Sequence, residues 1–311
     1  MFKKVVMVVA GSALAAALYT LTASVAVAAG PVVIGVSMPG GGSPFHEAIR
    51  HEVEQTAARL GVQASVEDAH WDFSTQQSNI NDFVTQHVQG ILVDNCLPYF
   101  TDSPIGAAAN AGIPVATVGD VNPSPDKFLV HVGFDNVQAG RDAAQFIIDK
   151  LGNKGSVIEL EGYPGWPSAQ NRKTGFDEVI KKSNVKLLAS VSAYWDRSTA
   201  HKLFSGLITT YPGFDAVFAA SDDMIIGAIQ AMDEAKIDPG TKVTVGVDAI
   251  ADGLQYIKEG KLTATFDQLP SKQVVPALQY LVGYIKDKTV PPQKVILVKP
   301  ELVTKRSLPS G

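Results

Sequence analysis

Cys96 is the only cysteine in 311 residues, so a disulfide framework has no material. It lies deep in the chain, which argues against a thiol-linked lipid anchor, and it reads as a small buried apolar residue. The six histidines are scattered, and His51-Glu52 lacks the second histidine of a zinc-binding helix, so no metal is expected. No Gly-x-Ser-x-Gly turn occurs and no base stands near Cys96 in the sequence, so nothing arms a nucleophile. The glycines Gly40, Gly41 and Gly42 are followed neither by the closing glycine of a dinucleotide loop nor by the Gly-Lys-Ser/Thr of a phosphate loop. No cofactor is therefore expected. Basic residues are also in the minority, 26 against 31 acidic, which makes a poor partner for nucleic acid. Beyond residue 21 no stretch is long and apolar enough to span a bilayer.

What is present begins with a leader. Lys3 and Lys4 precede the apolar run Val5–Leu21, and Ala26-Val27-Ala28 has the small-residue spacing of a signal-peptidase site. Export is expected, with residues 1–28 as signal peptide and cleavage near Ala28. An uncleaved membrane anchor is the alternative. Without the leader's two lysines, 24 basic residues face 31 acidic ones. The remaining length exceeds what one core comfortably fills, so two domains are expected.

The stretch Val32–Ile49 sets the pattern for the rest. A short apolar strand stops, three glycines turn the chain, and Ser43-Pro44 opens a helix as N-cap and N1. Phe45, one residue into that helix, is badly placed for a main core and well placed to lie against a ligand at the strand end. The βα beat then repeats. Ser74 and Gln77 have capping-box spacing, and Gly90 reads as the stop of their helix. Strands follow at Ile91–Val93, Ile113–Val118 and Phe128–Val132, and the beat starts again after Asp135. The expected fold is α/β, two doubly wound parallel-sheet lobes. The expected division is 29–134 plus 268–297 for one lobe and 135–267 plus 298–311 for the other, with crossings near Phe134, Gln268 and Val298.

The motifs in order are Ser43–Phe45, Ile113–Asp120, His131–Asn136, Val157–Phe176, Tyr194–Arg197, Ala216–Met224, Val245–Ala249 and Ala264–Pro270. Together they resemble the periplasmic sugar-binding proteins of the ribose/galactose type, exported receptors that feed ATP-binding-cassette importers. The resemblance covers nearly all the chain after the leader. It implies the type I periplasmic-binding-protein fold, a two-lobed hinged clamp with the sugar in its cleft. Most of these motifs sit just past strand carboxyl ends, where an open α/β sheet places a ligand in any case.

A sugar offers CH faces for stacking and hydroxyls that donate and accept, so its site needs flat apolar walls and planar polar groups. By resemblance Phe45 is the wall from the first lobe and Trp195 the wall from the second, with core packing as the alternative for each. Arg172 occupies the ligand-binding arginine position and would give two parallel hydrogen bonds to neighbouring hydroxyls. Asp248 matches the sugar-binding aspartate, with a helix N-cap as the alternative. Gln268 matches a hinge-adjacent ligand position, and Asp120 a polar contact past the fourth strand. Ser43 matches a polar ligand position and also reads as a cap. Trp166 is read either as pocket lining or as loop packing.

Departures from the ribose pattern are specific. Gly119-Asp120 stands where ribose binders carry Asp-Arg, Ser221 replaces an asparagine, and His46 and Val247 replace phenylalanines. These changes look closer to receptors for glucose, galactose or xylose. The expectation is a monomeric periplasmic solute-binding protein that captures a monosaccharide or sugar alcohol, hands it to a membrane permease and catalyses nothing. A periplasmic sensor for a sugar-like signal is one alternative. Another is a carbohydrate enzyme pairing Asp120 with Asp248. A repressor core of the same fold would carry a helix-turn-helix where this chain has its leader.

Overall fold

Runs such as Gly90–Asn95 are buried along their whole length, as strands covered by helices on both faces must be. The computed structural model describes residues 1–2 and 30–308. The expected leader falls outside them apart from Met1 and Phe2. Among the described residues no helix is long and apolar enough to cross a membrane.

Strands β1 (Val33–Met38), β2 (Gln63–Asp68), β3 (Gly90–Asn95), β4 (Val115–Gly119) and β5 (Val130–Phe134) alternate with helices α1 (Pro44–Leu60), α2 (Phe73–Thr85) and α3 (Pro98–Asn110). A second series follows: α4 (Asn136–Leu151), β6 (Ser156–Glu161), α5 (Pro167–Ile180), β7 (Lys186–Ser192), α6 (Arg197–Thr210), β8 (Ala216–Ala219), α7 (Asp222–Glu234), β9 (Val243–Asp248), α8 (Ala251–Glu259) and β10 (Ala264–Asp267). Helix α9 (Pro270–Asp287) and strands β11 (Val295–Val298) and β12 (Glu301–Thr304) close the chain.

These strands make two six-stranded sheets, ordered β11-β5-β4-β3-β1-β2 and β12-β10-β9-β8-β6-β7. Every pairing in the first is parallel, and in the second only β12 runs antiparallel, against β10. The fold is two α/β lobes, each a sheet between helical layers. In the first lobe Ile34, Val36, Leu92 and Leu278 build one core face, and Ile80, Phe83, Ile91 and Ile105 the other. In the second, Phe204, Phe214 and Ile225 lie on one face, and Ile147, Phe176 and Phe218 on the other. The chain passes from the first sheet to the second after Phe134, returns after Asp267, and passes again between Val298 and Glu301.

Two local expectations are corrected. Helix α2 is capped by Asp72, whose carboxylate accepts the amides of Ser74 (2.8 Å) and Thr75 (3.1 Å), so the Ser74–Gln77 spacing caps nothing. Gly90 does not stop α2, which ends at Thr85. It opens β3, and a Cβ there would stand 2.9 Å from Cδ1 of Ile285, so the missing side chain lets α9 pack closely.

Candidate binding cleft

Both sheets direct the carboxyl ends of their parallel strands, and the loops that follow, into one cavity of about 900 Å3. All nine residues singled out in the sequence line it: Ser43, Phe45 and His46 after β1, Asp120 after β4, Arg172 on α5, Trp195 after β7, Ser221 after β8, Asp248 at the end of β9, and Gln268 between β10 and α9. Trp166, the N-cap residue of α5, lines it as well. Val247 does not; it is fully buried in the second lobe's core.

Local structure explains several of these placements. Ser43 is the N-cap of α1 by backbone geometry, yet its side chain makes no capping hydrogen bond. Ser221 caps α7 by accepting the amide of Met224 at 3.3 Å. Asp248 is not a cap, because Ile250 holds that position for α8. Asp248 instead accepts a 2.5 Å hydrogen bond from Nε2 of Gln268, and its backbone lies at φ +123°, a conformation disfavoured for a residue with a Cβ. Gly119, at φ +79°, precedes Asp120 where a Cβ would lie 2.7 Å from the Asn95 carbonyl oxygen.

Arg172 is the centre of charge. It is 4% exposed and holds itself in place with Nε donating to Oδ1 of Asn136 at 2.7 Å and Nη1 donating to the Ala220 carbonyl. Its guanidinium carbon lies 5.7 Å from the Phe134 ring centre and 5.4 Å from that of Trp195. Of five N–H donors, two are committed to the protein and three remain. Asp248 stands 3.7 Å away. Burial pushes the Asp248 pKa up to about 6, against the pull of Arg172 and Gln268. Burial likewise raises Asp120 to about 7, although the Ser168 amide (3.1 Å) and Arg172 oppose it. Asp222, behind the cleft, accepts from Thr265 Oγ1 (2.7 Å) and the Ile250 amide (3.0 Å), and so ties β10 to the loop after β9.

Cys96 corrects the view that no base stands near it. Its sulfur is 3.7 Å from Nε2 of His46, whose Nδ1 is 2.8 Å from Asp94 Oδ2. The chain of groups resembles a thiol–imidazole–carboxylate triad, but burial, and then Asp94 and Asp120, raise the thiol pKa well above its ordinary value. Cys96 therefore stays a thiol, which is the unreactive form. Among the described residues no group of three or more His, Cys, Asp or Glu could hold a metal ion.

A family model described as a periplasmic binding protein domain matches residues 34–289. The chain belongs to that family. Among the relatives of this periplasmic binding protein, the ribose import binding protein RbsB of Bacillus subtilis is 32% identical, covering 76% of this chain and 76% of its own. A xylitol-binding protein of Mycolicibacterium smegmatis is 34% identical over 71% of this chain and 63% of its own. A crystal structure of a galactofuranose binding protein superposes with a TM-score of 0.82 at 28% identity, covering 89% of this chain and 96% of the other.

The binding protein also holds an internal repeat that sequence reasoning passed over. Ala69-His70-Trp71-Asp72-Phe73-Ser74-Thr75 and Ala193-Tyr194-Trp195-Asp196-Arg197-Ser198-Thr199 follow β2 and β7, the edge strands of their sheets. In each, a buried alanine follows the strand, two residues take positive φ (+50° and +62°, +56° and +63°), and the aspartate caps the next helix. Each indole lies over a glycine, Gly40 or Gly162, where a Cβ would strike the ring. Trp71, not Phe45, is thus the first lobe's structural counterpart of Trp195. Phe45 does line the cavity, but it also packs against the first lobe's core. Trp71 stacks on Trp166 across the cleft, with centroids 6.0 Å apart and planes at 26°. The Trp195 Nε1 is buried without a hydrogen-bond partner among the described residues, an unmet donor in the cleft wall.

Proposed function

We propose that this periplasmic binding protein captures a monosaccharide or sugar alcohol in the cleft, closes its lobes about residues 134, 268 and 298, and presents the closed form to the permease of an ATP-binding-cassette importer. The observation that carries this is the make-up of the cavity. Rings come from both lobes (Phe45 and Trp71, Trp195), and so do buried polar groups (Asp120, Arg172 with Asp248). Such a set suits a guest with apolar faces and a hydroxyl rim. The names of the relatives, for ribose, xylitol and galactofuranose, support sugar and polyol chemistry. The departures from the ribose pattern at Gly119-Asp120, Ser221 and His46 support a glucose-, galactose- or xylose-like guest over ribose.

A guest that touches both lobes stabilises the closed state more than the open one, which is all that closure requires. The guest is bound and released unchanged by a monomer. Charge-assisted hydrogen bonds of roughly 1.5–3 kcal/mol each make micromolar affinity reachable for one ring, after the cost of ordering is subtracted.

A thermal-shift screen over pentoses, hexoses and polyols tests this, because a ligand of the native state alone raises the melting temperature. Trp195→Ala and Asp248→Ala should each weaken the best ligand by about thirtyfold or more, the loss of a 2 kcal/mol hot spot. The ligand-free melting temperatures should change by only a few degrees. If both variants bind as tightly as the parent, the site is misassigned. NMR of the ligand after incubation separates a binder, which returns it unaltered, from a carbohydrate enzyme.

A further inference from the structure

We infer that the guest carries an ammonium group, as an amino sugar or aminated polyol, and that Asp120 receives it. The inference rests on the sugar-or-polyol proposal and narrows its class.

The cavity is lined by five aspartates, Asp94, Asp120, Asp196, Asp223 and Asp248, against two guanidiniums, Arg172 and Arg197. Most of these aspartates already have a side-chain partner or a capping role. Arg197 is taken by Asp223 through Nε (2.9 Å) and Nη2 (2.5 Å), and by Asp252 at 2.9 Å. Arg172 faces Asp248, Asp94 is hydrogen-bonded to Nδ1 of His46 at 2.8 Å, and Asp196 is an exposed helix cap. Asp120 is left over. It is 6% exposed, and no cationic side chain lies within 4.0 Å of it among the described residues. Its Oδ2 accepts the Ser168 amide at 3.1 Å, and the Ser168 side chain also favours its charged form, but neither supplies a positive charge. The flanking positions are Gly119 and Val121, so the same loop supplies no cation.

A buried carboxylate that shares one guanidinium with two others and has no cation within ion-pair distance is costly, and a neutral hydroxyl relieves only the hydrogen bond. An ammonium supplies up to three N–H donors and cancels the charge. The high proton affinity of Asp120, with Arg172 already in view, agrees with a site still short of one positive charge.

Isothermal titration at neutral pH and low salt, with matched probes, decides the matter. The pairs are D-glucosamine with D-glucose, D-galactosamine with D-galactose, and 1-amino-1-deoxy-D-glucitol with D-glucitol. In at least one pair the amine should bind about tenfold tighter or better than its hydroxyl partner, and N-acetylation should remove the gain. Asp120→Asn should cost that amine about tenfold more than it costs the neutral partner. The N-acetyl comparison, made on the parent protein, stands even if that variant folds poorly. Neutral sugars that bind as well as or better than their amines in every pair overturn this inference and leave the sugar proposal intact. No binding by any sugar or polyol, amine or neutral, overturns both.

Discussion

Asp120 and Arg172 face each other across the cleft, and neither is comfortable alone. Arg172 sees Asp248, Asp120 and Asp222, so one guanidinium serves three carboxylates. The folded-state pKa of Asp120 is about 7 where an unfolded aspartate sits at 3.8, so between those values the native state binds more protons than the unfolded one. Stability contributed at this site is therefore fully present at low pH and is lost as pH rises through that window. Asp120→Asn keeps an acceptor for the Ser168 amide and removes the charge. It should stabilise the ligand-free protein at pH 8 by on the order of 2–4 kcal/mol, by roughly half of that near pH 5, and change little below pH 4. Thermal melts of both proteins across that range check it. A stabilisation independent of pH would show that charge burial is not the cause.

At the scale of elements, the strand-and-helix beat is legible because buried parallel strands are short apolar runs and helix starts carry Pro, Ser or Asp. The lining of the cleft is legible to the same extent, since residues at strand carboxyl ends converge in this topology. What was not legible depends on contacts with no fixed spacing. His46 and Cys96 are 50 positions apart and meet only because β1 pairs with β3. Ser74 and Gln77 fit a capping box, but Asp72 starts the helix two residues earlier by accepting the amides of Ser74 and Thr75. The paired tryptophan loops were visible as a repeated Ala-x-Trp-Asp-x-Ser-Thr, yet two successive non-glycine residues at positive φ run against local preference, so each passes as ordinary loop. Those loops hold their indoles flat over a glycine. Gly162→Ala would drive a methyl group into the Trp195 ring. It should cost about 1–3 kcal/mol of stability and abolish sugar binding as the indole is displaced, read by melting and titration together. Full affinity in a stable Gly162→Ala protein would mean that the position of Trp195 is not what the ligand needs.

At the scale of the whole molecule, few groups join the lobes at the cleft mouth, and they are rings more than charges. Trp166 of the second lobe stacks on Trp71 and meets Phe73 edge-on at 5.8 Å, both from the first lobe, while the Ser168 amide just beyond it reaches Asp120. An aromatic pair contributes about 0.5–1.5 kcal/mol beyond its buried area. That contribution exists only when the lobes are together, so it acts on the closed population and not on any one ligand. Apparent affinity is the intrinsic affinity scaled by the fraction of competent, closed molecules. Trp166→Ala should therefore weaken every sugar, polyol or amine that binds by the same factor, about 2- to 10-fold, and leave their rank order unchanged. A residue that touches the ligand would act differently, hurting some guests and sparing others. Titration of three chemically distinct ligands against parent and variant distinguishes the two. Unequal losses would make Trp166 part of the binding surface, and equal affinities would mean that the stacked rings contribute nothing to closure.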